Sequence, residues 1–284
     1  MRFDLIHKNT MIIDGKKIAE DIKAELKAEI EALHLSPVLA VVMVGDDPVT
    51  ERFVGVKKKF AEDIGVRIEE HRFSKDIESD ILLQKVEDMA IDDDVDGIII
   101  QLPLPAHIDR EAVLGAIPAE KDVDVISHEG VLGFESGDAL VPPPVLGAMV
   151  EILRRELVEI RDKKVVIIGR GLLVGIPAEH WFKRQGALVT VMEQKDSIDE
   201  AVADADILVL GAGSPGIITP GMVKEGVIIL DAGTSEAAGK LQGDADYRCV
   251  EKAHLMTPVP GGIGPITVAI LFKNLIDLII KYGN

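Results

Sequence analysis

Hydrophobic residues follow two alternating patterns along this chain. Isoleucine and leucine recur every four residues from Ile18 to Ile30, with lysines and glutamates between them, which predicts an amphipathic helix over residues 17–33. Val38–Val44 is an uninterrupted apolar run, typical of a strand buried on both faces. The same patterns predict further strands at 66–73, 97–101, 164–168, 188–192, 207–210 and 227–230, and further helices at 51–63, 79–91, 146–157 and 266–281. This alternation predicts parallel sheets covered by helices.

The prolines at 142–144 interrupt this alternation and predict a domain boundary. We therefore expect two α/β domains with an active-site cleft between them. The first would span residues 1–145 and take back the C-terminal helix, residues 266–284. The second would span residues 146–265. The chain contains no internal repeat and no low-complexity tract.

The amino-acid composition limits the kinds of protein that this chain can be. Of the 284 residues, 47% are hydrophobic but only 4% are aromatic, so the core must consist mostly of Ile, Val, Leu and Ala. The single cysteine, Cys249, permits neither an internal disulfide nor a cysteine-rich metal site, and it suits a reducing cytoplasm. The first residues lack the apolar core of a signal peptide, and polar residues interrupt the apolar run 266–280. We expect a cytoplasmic protein that does not span a membrane.

The formal net charge of the chain is −18. Nucleic acid is bound by clustered cations, so this charge argues against a nucleic-acid partner. An anionic substrate would need a local basic pocket to overcome the field of the surface. No histidine or cysteine lies at ligand spacing around the paired acidic residues, so we expect no metal.

A polar residue ends the most informative apolar run, which reads D-G-I-I-I-Q-L-P-L-P over Asp96–Pro105. Pro103 lacks the N–H that a strand ladder needs, so the strand must end near Gln101. Open α/β sheets bind ligands at the carboxyl ends of their strands, which makes Gln101 a candidate site residue. Taken alone, the segment also fits a strand followed by a rigid loop.

A glycine-rich turn, G-R-G-L-L-V-G-I-P over Gly169–Pro177, follows the predicted strand 164–168. Glycines here would let backbone N–H groups approach a pyrophosphate at the start of a helix. The spacing is one residue longer than the common fingerprint, and such clusters also occur in simple strand-to-helix turns. The strand before and the helix after favour a dinucleotide site. A second strand-end turn, G-A-G-S-P-G, contains the candidate cofactor residue Gly213.

The acid at Glu193 bears on the choice of cofactor. It lies 24 residues beyond Gly169, where an acid typically accepts hydrogen bonds from the adenosine ribose and repels a 2′-phosphate. Asp196 adds to that repulsion, while Arg170 and Lys195 oppose it. The balance favours NAD over NADP, although Glu193 fits a solvated loop residue equally well.

Candidate proton-transfer residues lie on the predicted helix after Thr50, which could cap it. Phe53 and Lys57 are four residues apart and share one helix face, so they could stack a flat ring and transfer a proton. A lysine does this when a dry site lowers its pKa. The lysines at 57–59 also fit a solvated helix face. K-D-V-D at 121–124 presents alternate acids that could bind a pair of ligand N–H groups or serve as turn residues.

Together with T-P-V-P-G-G-I-G-P-I-T over Thr257–Thr267, these motifs resemble the bifunctional 5,10-methylenetetrahydrofolate dehydrogenase/5,10-methenyltetrahydrofolate cyclohydrolase family. The resemblance extends from Ile13 to the last helix. It implies a folate-binding catalytic first domain, a Rossmann-type second domain that binds NAD or NADP, tetrahydrofolate substrates and a homodimer. The implied reactions are oxidation of 5,10-methylenetetrahydrofolate to 5,10-methenyltetrahydrofolate, followed by hydrolysis to 10-formyltetrahydrofolate.

The resemblance also implies roles for individual residues. Lys57 would transfer the proton in hydrolysis, Gln101 would hold and tune Lys57, and Asp124 would bind the pterin ring. The other implied substrate-binding residues are Thr50, Phe53, Leu102, Pro103, Gly262 and Pro265. The implied cofactor-binding residues are Gly169, Arg170, Gly171, Val174, Gly175, Pro177, Glu193 and Gly213.

Several positions depart from the family pattern, among them Pro143, Pro144 and Val145, which stand where Cys-Thr-Pro is usual. Phe53 replaces a tyrosine, and Val125 replaces the glycine after the second acid of K-D-V-D. These two changes motivate one alternative, a monofunctional NAD-dependent methylenetetrahydrofolate dehydrogenase. Gly171 replaces a serine and Glu193 a histidine, and both changes fit NAD. A second alternative is a non-catalytic protein that binds folate or dinucleotide.

Overall fold

The computed structural model describes residues 10–193, 196–237 and 240–283. In chain order the strands and helices are β1 (Met11–Ile12), α1 (Gly15–Leu33), β2 (Val38–Val44), α2 (Pro48–Ile64), β3 (Arg67–Phe73), α3 (Ser79–Ala90), β4 (Gly97–Ile100), α4 (Arg110–Gly115), α5 (His128–Ser136), α6 (Pro144–Arg155), β5 (Lys164–Ile168), α7 (Gly175–Arg184), β6 (Leu188–Met192), α8 (Asp199–Asp204), β7 (Ile207–Leu210), β8 (Ile228–Asp231), β9 (Ser235–Ala237), β10 (Lys240–Gln242), β11 (Leu255–Met256) and α9 (Ile263–Tyr282). A short 3₁₀ helix, Tyr247–Glu251, precedes β11.

The chain folds into two compact units, and each unit is assembled from two stretches of polypeptide. The large-sheet unit contains the chain up to Ile18 together with Val145–Thr267. The small-sheet unit contains Ala19–Pro144 together with the chain from Val268 onward. Helices α1 and α9 each pass from the large-sheet unit into the small-sheet unit near their first turns.

Three parallel strands form the sheet of the small-sheet unit, in the order β3-β2-β4. Strand β2 is central and buried from Val38 to Met43, as its uninterrupted apolar run predicts. All four residues of β4 are buried as well. At the first of them, Gly97, an added Cβ would lie 2.7 Å from Leu275 of α9. Glycine therefore lets the C-terminal helix pack directly on this strand.

The large-sheet unit contains six parallel strands in the order β1-β11-β8-β7-β5-β6. From β5 the chain runs to β6 on one side and then returns to β7 on the other. This reversal places a topological switch point between the carboxyl ends of β5 and β7, which is where open α/β sheets bind ligands. The predicted α/β fold with parallel sheets is confirmed.

Residues 10–18 differ from their predicted placement in the first domain. Strand β1 pairs in parallel with β11, with Met11 opposite Leu255, and so belongs to the large-sheet unit. A strand of two residues has no periodicity to detect, and its partner lies far along the chain. Helices α4 and α5 are not predicted either, because 6 and 9 residues are too few for a clear helical pattern.

Helix α9 is long and apolar enough to cross a membrane by length and composition alone. Its side chains at Phe272, Leu275 and Ile276 are fully buried within the protein, and 56% of its apolar window is buried. Such burial is typical of a core helix. No other helix in the described part of the chain meets the same length and composition criterion.

Candidate active site

Helix α2 carries Lys57, and its ends are fixed by local sequence. Asp47 caps the first turn by accepting a 2.9 Å hydrogen bond from the N–H of Thr50, and Pro48 supplies a preset φ at the start. Thr50 is therefore not the cap that the sequence predicts. Its hydroxyl donates to the same carboxylate oxygen at 2.9 Å. Gly65 ends the helix in the left-handed conformation, with φ of 82°.

Helix α2 has one face that packs in the core and another that is exposed to solvent. Phe60 is buried and stacks on Phe272 of α9, with ring centroids 5.1 Å apart. Phe53 is 48% exposed, so its ring is available to a ligand. Lys57 is partly buried, whereas the neighbouring Lys58 is exposed and pairs with Glu70 of β3. The expectation of a solvated helix face therefore holds for Lys58 but not for Lys57.

Gln101 lies at the end of β4 and holds Lys57. Its backbone N–H still donates to Val42 O at 2.9 Å, which continues the sheet for one more residue. The side-chain Oε1 accepts a 3.0 Å hydrogen bond from Lys57 Nζ, while Nε2 donates to Leu102 O at 3.2 Å. With both ends of the amide engaged, the side-chain orientation is fixed. The peptide bond that follows, Leu102–Pro103, is cis.

The K-D-V-D loop brings Asp124 to the same place, and its neighbours hold the loop. The buried Asp122 carboxylate accepts hydrogen bonds from the N–H groups of Ile126 (3.2 Å) and Ser127 (2.7 Å). The buried Asn274 of α9 donates to Val123 O at 2.9 Å and to Pro142 O at 2.8 Å. These bonds fix the backbone on both sides of Asp124.

Val125, the next residue, adopts φ of 54°. This left-handed conformation is strained for a β-branched side chain and natural for glycine. Its side chain is only 4% exposed, so the strain is held by packed surroundings. At this position the chain therefore keeps a conformation that suits the glycine of the family pattern but carries a β-branched side chain there.

The charges at this cluster influence one another. Burial lowers the pKa of the Lys57 ammonium, and the negative charge of Asp124 opposes that change. Burial has the opposite effect on the acid and raises the pKa of Asp124. The positive charge of Lys57 opposes this increase, and the negative charge of Asp122 adds to it. A lysine with a lowered pKa, hydrogen-bonded to a fixed amide and close to a carboxylate, is equipped for general acid–base chemistry.

The predicted dinucleotide loop lies at the switch point of the large sheet. Gly169 adopts φ of 99°, and an added Cβ there would lie 2.6 Å from Gly211 O. At Gly175, the first residue of α7, an added Cβ would lie 1.9 Å from Gly169 O. Among the described residues, no side chain caps this helix. The backbone thus forms a close-packed cradle at a helix start, which fits a pyrophosphate.

Other predicted cofactor residues surround this cradle. Val174 packs where a side chain on Gly211 would stand, and Pro177 is buried in α7. Gly171 is exposed, and Gly213 adopts φ of 65° in the turn after β7. The two remaining predicted cofactor-binding residues, Arg170 and Glu193, are the charged ones.

Arg170 and Glu193 lie on the surface near this cradle. Arg170 is exposed, with Nη2 3.6 Å from Oε2 of Glu179 in α7. Glu193 is exposed directly after β6, and its N–H donates to Asp196 Oδ2 at 2.6 Å. The Lys195 considered with them lies outside the described residues.

The predicted substrate residues are divided between the two units. Gly262 and Pro265 lie at the start of α9 in the large-sheet unit, where the Gly262 N–H donates to Pro258 O at 2.8 Å. Gly15 packs against this turn, since an added Cβ would lie 1.8 Å from Gly262 O. Thr50, Phe53, Leu102 and Pro103 lie in the small-sheet unit.

The structure adds residues that the sequence does not single out. They are Asn274, Asp231 and Asp244, all of them buried. Asp231 ends β8 after an apolar run, so the reasoning that selects Gln101 could have found it. Asp244 and Asn274 follow no such pattern. Within the described residues, no group of three or more His, Cys, Asp or Glu side chains is placed to hold a metal ion.

Comparison with known proteins places these features in a family. The model of the tetrahydrofolate dehydrogenase/cyclohydrolase catalytic domain matches residues 13–124, and the model of the NAD(P)-binding domain of the same family matches residues 143–282. The chain belongs to this family. The bifunctional protein FolD of Halothermothrix orenii is 41% identical over 273 residues, which cover 93% of this chain and 96% of that protein.

Solved structures of the tetrahydrofolate dehydrogenase/cyclohydrolase family share the fold. The bifunctional FolD enzyme of Campylobacter jejuni matches with a TM-score of 0.91 and 33% identity, covering 96% of this chain and 99% of that one. The Trypanosoma brucei FolD enzyme, in complex with NADP and an inhibitor, matches with a TM-score of 0.92 and 31% identity, covering 96% and 98%. Family membership thus joins a catalytic domain, which contains the Lys57 cluster, and an NAD(P)-binding domain in one chain.

Proposed function

We propose that this chain oxidises 5,10-methylenetetrahydrofolate to 5,10-methenyltetrahydrofolate with a nicotinamide dinucleotide, and then hydrolyses the product to 10-formyltetrahydrofolate. Membership of the tetrahydrofolate dehydrogenase/cyclohydrolase family supports both reactions. The observation that carries the hydrolytic step is the 3.0 Å hydrogen bond from Lys57 Nζ to Gln101 Oε1, close to the charge of Asp124.

Hydrolysis needs a base for water and an acid for the leaving nitrogen. Neutral Lys57 accepts a proton as water adds to the methenyl carbon. The protonated amine then returns a proton to N5 as the C–N5 bond breaks, and the remaining hydroxyl proton is released to solvent as the C=O bond of the formyl group forms on N10. Burial lowers the pKa of Lys57 and so favours the neutral amine that this step requires. Gln101 keeps the amine in one position through this cycle.

Folate is held by groups around the same lysine. The Asp124 carboxylate accepts hydrogen bonds from the amino and ring N–H groups of the pterin. Phe53 is exposed on the face of α2 that carries Lys57, and it stacks on the aminobenzoyl ring. Phenylalanine keeps this stacking but offers no hydroxyl.

The glycine cradle holds the dinucleotide in the large-sheet unit. A bound nicotinamide dinucleotide supplies the hydride acceptor for the oxidation. Gly169 and Gly175 allow the loop to pack closely at the start of α7, where backbone N–H groups can bind a pyrophosphate. NAD is the preferred cofactor, because exposed Glu193 repels a 2′-phosphate and Arg170 lies beside the carboxylate of Glu179.

The proposed oligomeric state follows from the family resemblance, and the proposed cellular location follows from the composition. The protein is a homodimer, as family resemblance implies, and it acts in the cytoplasm, where its single cysteine stays reduced.

The test is turnover by the purified protein. Reduction of NAD and of NADP with 5,10-methylenetetrahydrofolate is measured in parallel, and loss of 5,10-methenyltetrahydrofolate is followed separately. Both activities, with NAD preferred, are expected. Reduction of dinucleotide without hydrolysis of methenyltetrahydrofolate would identify a monofunctional dehydrogenase, which the loss of the hydroxyl at Phe53 favours. Binding of folate without any turnover would contradict the proposed function.

A further inference from the structure

Two buried carboxylates outside the catalytic cluster lie beneath the turn that follows β7. Asp244 is fully buried, and its Oδ2 accepts hydrogen bonds from the N–H groups of Ala212 (2.7 Å) and Gly213 (3.1 Å). Its Oδ1 accepts a third from Ser214 at 2.6 Å. Three successive N–H groups that converge on one point form a nest for an anion, and here a side chain of the same chain fills it.

Asp231 holds the backbone on both sides of Asp244. It is the last residue of β8 and is 2% exposed. Its Oδ1 accepts hydrogen bonds from the N–H groups of Gly233 (2.9 Å) and Asp244 (3.2 Å), and its Oδ2 accepts one from Ala245 (2.9 Å). The position of the Asp244 carboxylate is thus set by a second carboxylate one layer below.

Glycines make room for both acids. An added Cβ at Gly233 would lie 2.3 Å from Asp244 Cγ, and one at Gly243 would lie 2.2 Å from Asp231 Oδ2. Neither glycine adopts a positive φ, so the requirement at these two positions is space rather than conformation.

The turn that Asp244 holds forms one side of the switch point between β5 and β7. The backbone of Gly211 lies against the dinucleotide loop at two places: Gly169 would clash with Gly211 O if it carried a Cβ, and Val174 fills the space of a side chain on Gly211. A displacement of residues 211–214 would therefore be passed to the cradle.

We propose that Asp244 is a positioning residue for dinucleotide binding, which it serves by fixing residues 212–214 against the dinucleotide loop. This role rests on the proposed function, because it assumes that the cradle binds NAD. Asp244 touches no reacting atom. Its carboxylate replaces solvent as the partner of three N–H groups, so that the turn is already in its binding conformation before NAD arrives.

The role is tested with Asp244→Asn in the full-length protein. The amide keeps the size of the side chain but presents an NH2 group to N–H donors, so at least one hydrogen bond is lost. If the binding conformation falls to about a tenth of the population, the apparent Kd for NAD rises about tenfold. We expect this increase by calorimetry, with a matching rise in KM for NAD. The KM for folate and the hydrolysis of 5,10-methenyltetrahydrofolate without dinucleotide should be unchanged, since the residues of the Lys57 cluster lie in the small-sheet unit.

Asp206→Asn is the matched control. Asp206 also accepts a backbone N–H, from Lys164 at 2.9 Å, but it lies at the opposite end of β7. Its substitution should leave the Kd for NAD unchanged. A second variant, Gly233→Ala, keeps the charge of Asp244 but pushes it from the nest, and should weaken NAD binding in the same way. This variant decides the question if Asp244→Asn does not fold.

An unchanged Kd for NAD in folded Asp244→Asn, or a parallel loss of hydrolysis and NAD binding, would overturn the role. Failure of the proposed function has a different signature, because the unaltered protein would then bind NAD without turning over folate. The Kd comparison needs no turnover and would still be decisive.

Discussion

Lys57 Nζ and Gln101 Oε1 are joined by a 3.0 Å hydrogen bond that connects helix α2 to the carboxyl end of β4. The two residues are 44 positions apart in sequence, so their contact depends on the tertiary fold. In the proposed mechanism, this contact positions a lysine on a helix face as the acid–base group. The reactivity of this group depends on that contact, on the charge of Asp124 and on the backbone that supports both.

Lys57→Met is expected to remove the hydrolytic activity while the dehydrogenase keeps most of its rate. Loss of a general acid–base group lowers a rate by about 10²- to 10⁴-fold, whereas hydride transfer needs no proton from this amine. Both rates are measured on the same preparation. Lys58→Met is the control, since Lys58 pairs with Glu70 on the exposed side of the helix. Equal loss of both activities in folded Lys57→Met would refute the assignment.

Asp124→Asn should move the pH dependence of hydrolysis. The negative charge of Asp124 holds the pKa of Lys57 up against the effect of burial, so removing the charge lowers this pKa further. If neutral Lys57 is the base, kcat rises as pH rises through the pKa, and the rising limb moves to lower pH in the variant. The profile of kcat is compared with that of Asp63→Asn, which alters an exposed acid on the same helix. A limb that moves to higher pH would contradict this electrostatic account.

Val125→Gly should cost less stability than truncation of another buried valine. Strain of about 1–3 kcal/mol is relieved at φ of 54°, and this offsets the loss of about 1.5–3 kcal/mol from the buried side chain. Val66→Gly is the reference, because Val66 is similarly buried at 6% but has no positive φ. Urea unfolding of both variants measures the difference. Equal losses would show that Val125 carries no strain.

Asn274→Ala should destabilise the loop that carries Asp124. Two carbonyls, Val123 O and Pro142 O, lose their hydrogen-bond donor, at a cost of about 1–3 kcal/mol for each group left buried without a partner. The free energy of unfolding is measured beside that of Lys273→Ala, whose exposed side chain pairs with Asp277. The control should change stability by less than about 0.5 kcal/mol. A small effect at Asn274 would mean that water replaces the amide.

The sequence predicts most of the regular structure because apolar runs and helical spacing report burial directly. Strands β2, β5, β6 and β7 have the predicted bounds. The cap of α2 is Asp47 rather than the predicted Thr50, although Pro48 directly after Asp47 is a typical first helical residue. Both side chains can cap a helix, and the proline is the signal that distinguishes them.

The candidate site is predictable where residues lie at strand ends or in glycine turns. Gln101 and the loop at Gly169 are of this kind. The support beneath them is not, because Asn274 lies 151 residues from the carbonyl of Val123 that it binds, and Asp244 lies 32 residues from Ala212. Contacts of this kind depend on the tertiary fold and leave no local pattern. The left-handed conformation at Val125 cannot be predicted from the sequence either, because valine ordinarily disfavours it.

The chain crosses between its two units at 18/19, 144/145 and 267/268, so neither unit is one continuous piece of polypeptide. A fragment ending near residue 144 would carry β1 without its partner β11, and would lack the segment of α9 that buries Phe272 and Leu275. No single break in the gene yields either unit whole. Recombination between relatives at the 144/145 boundary would build each unit from segments of both parents, so a single crossover there cannot exchange one unit whole.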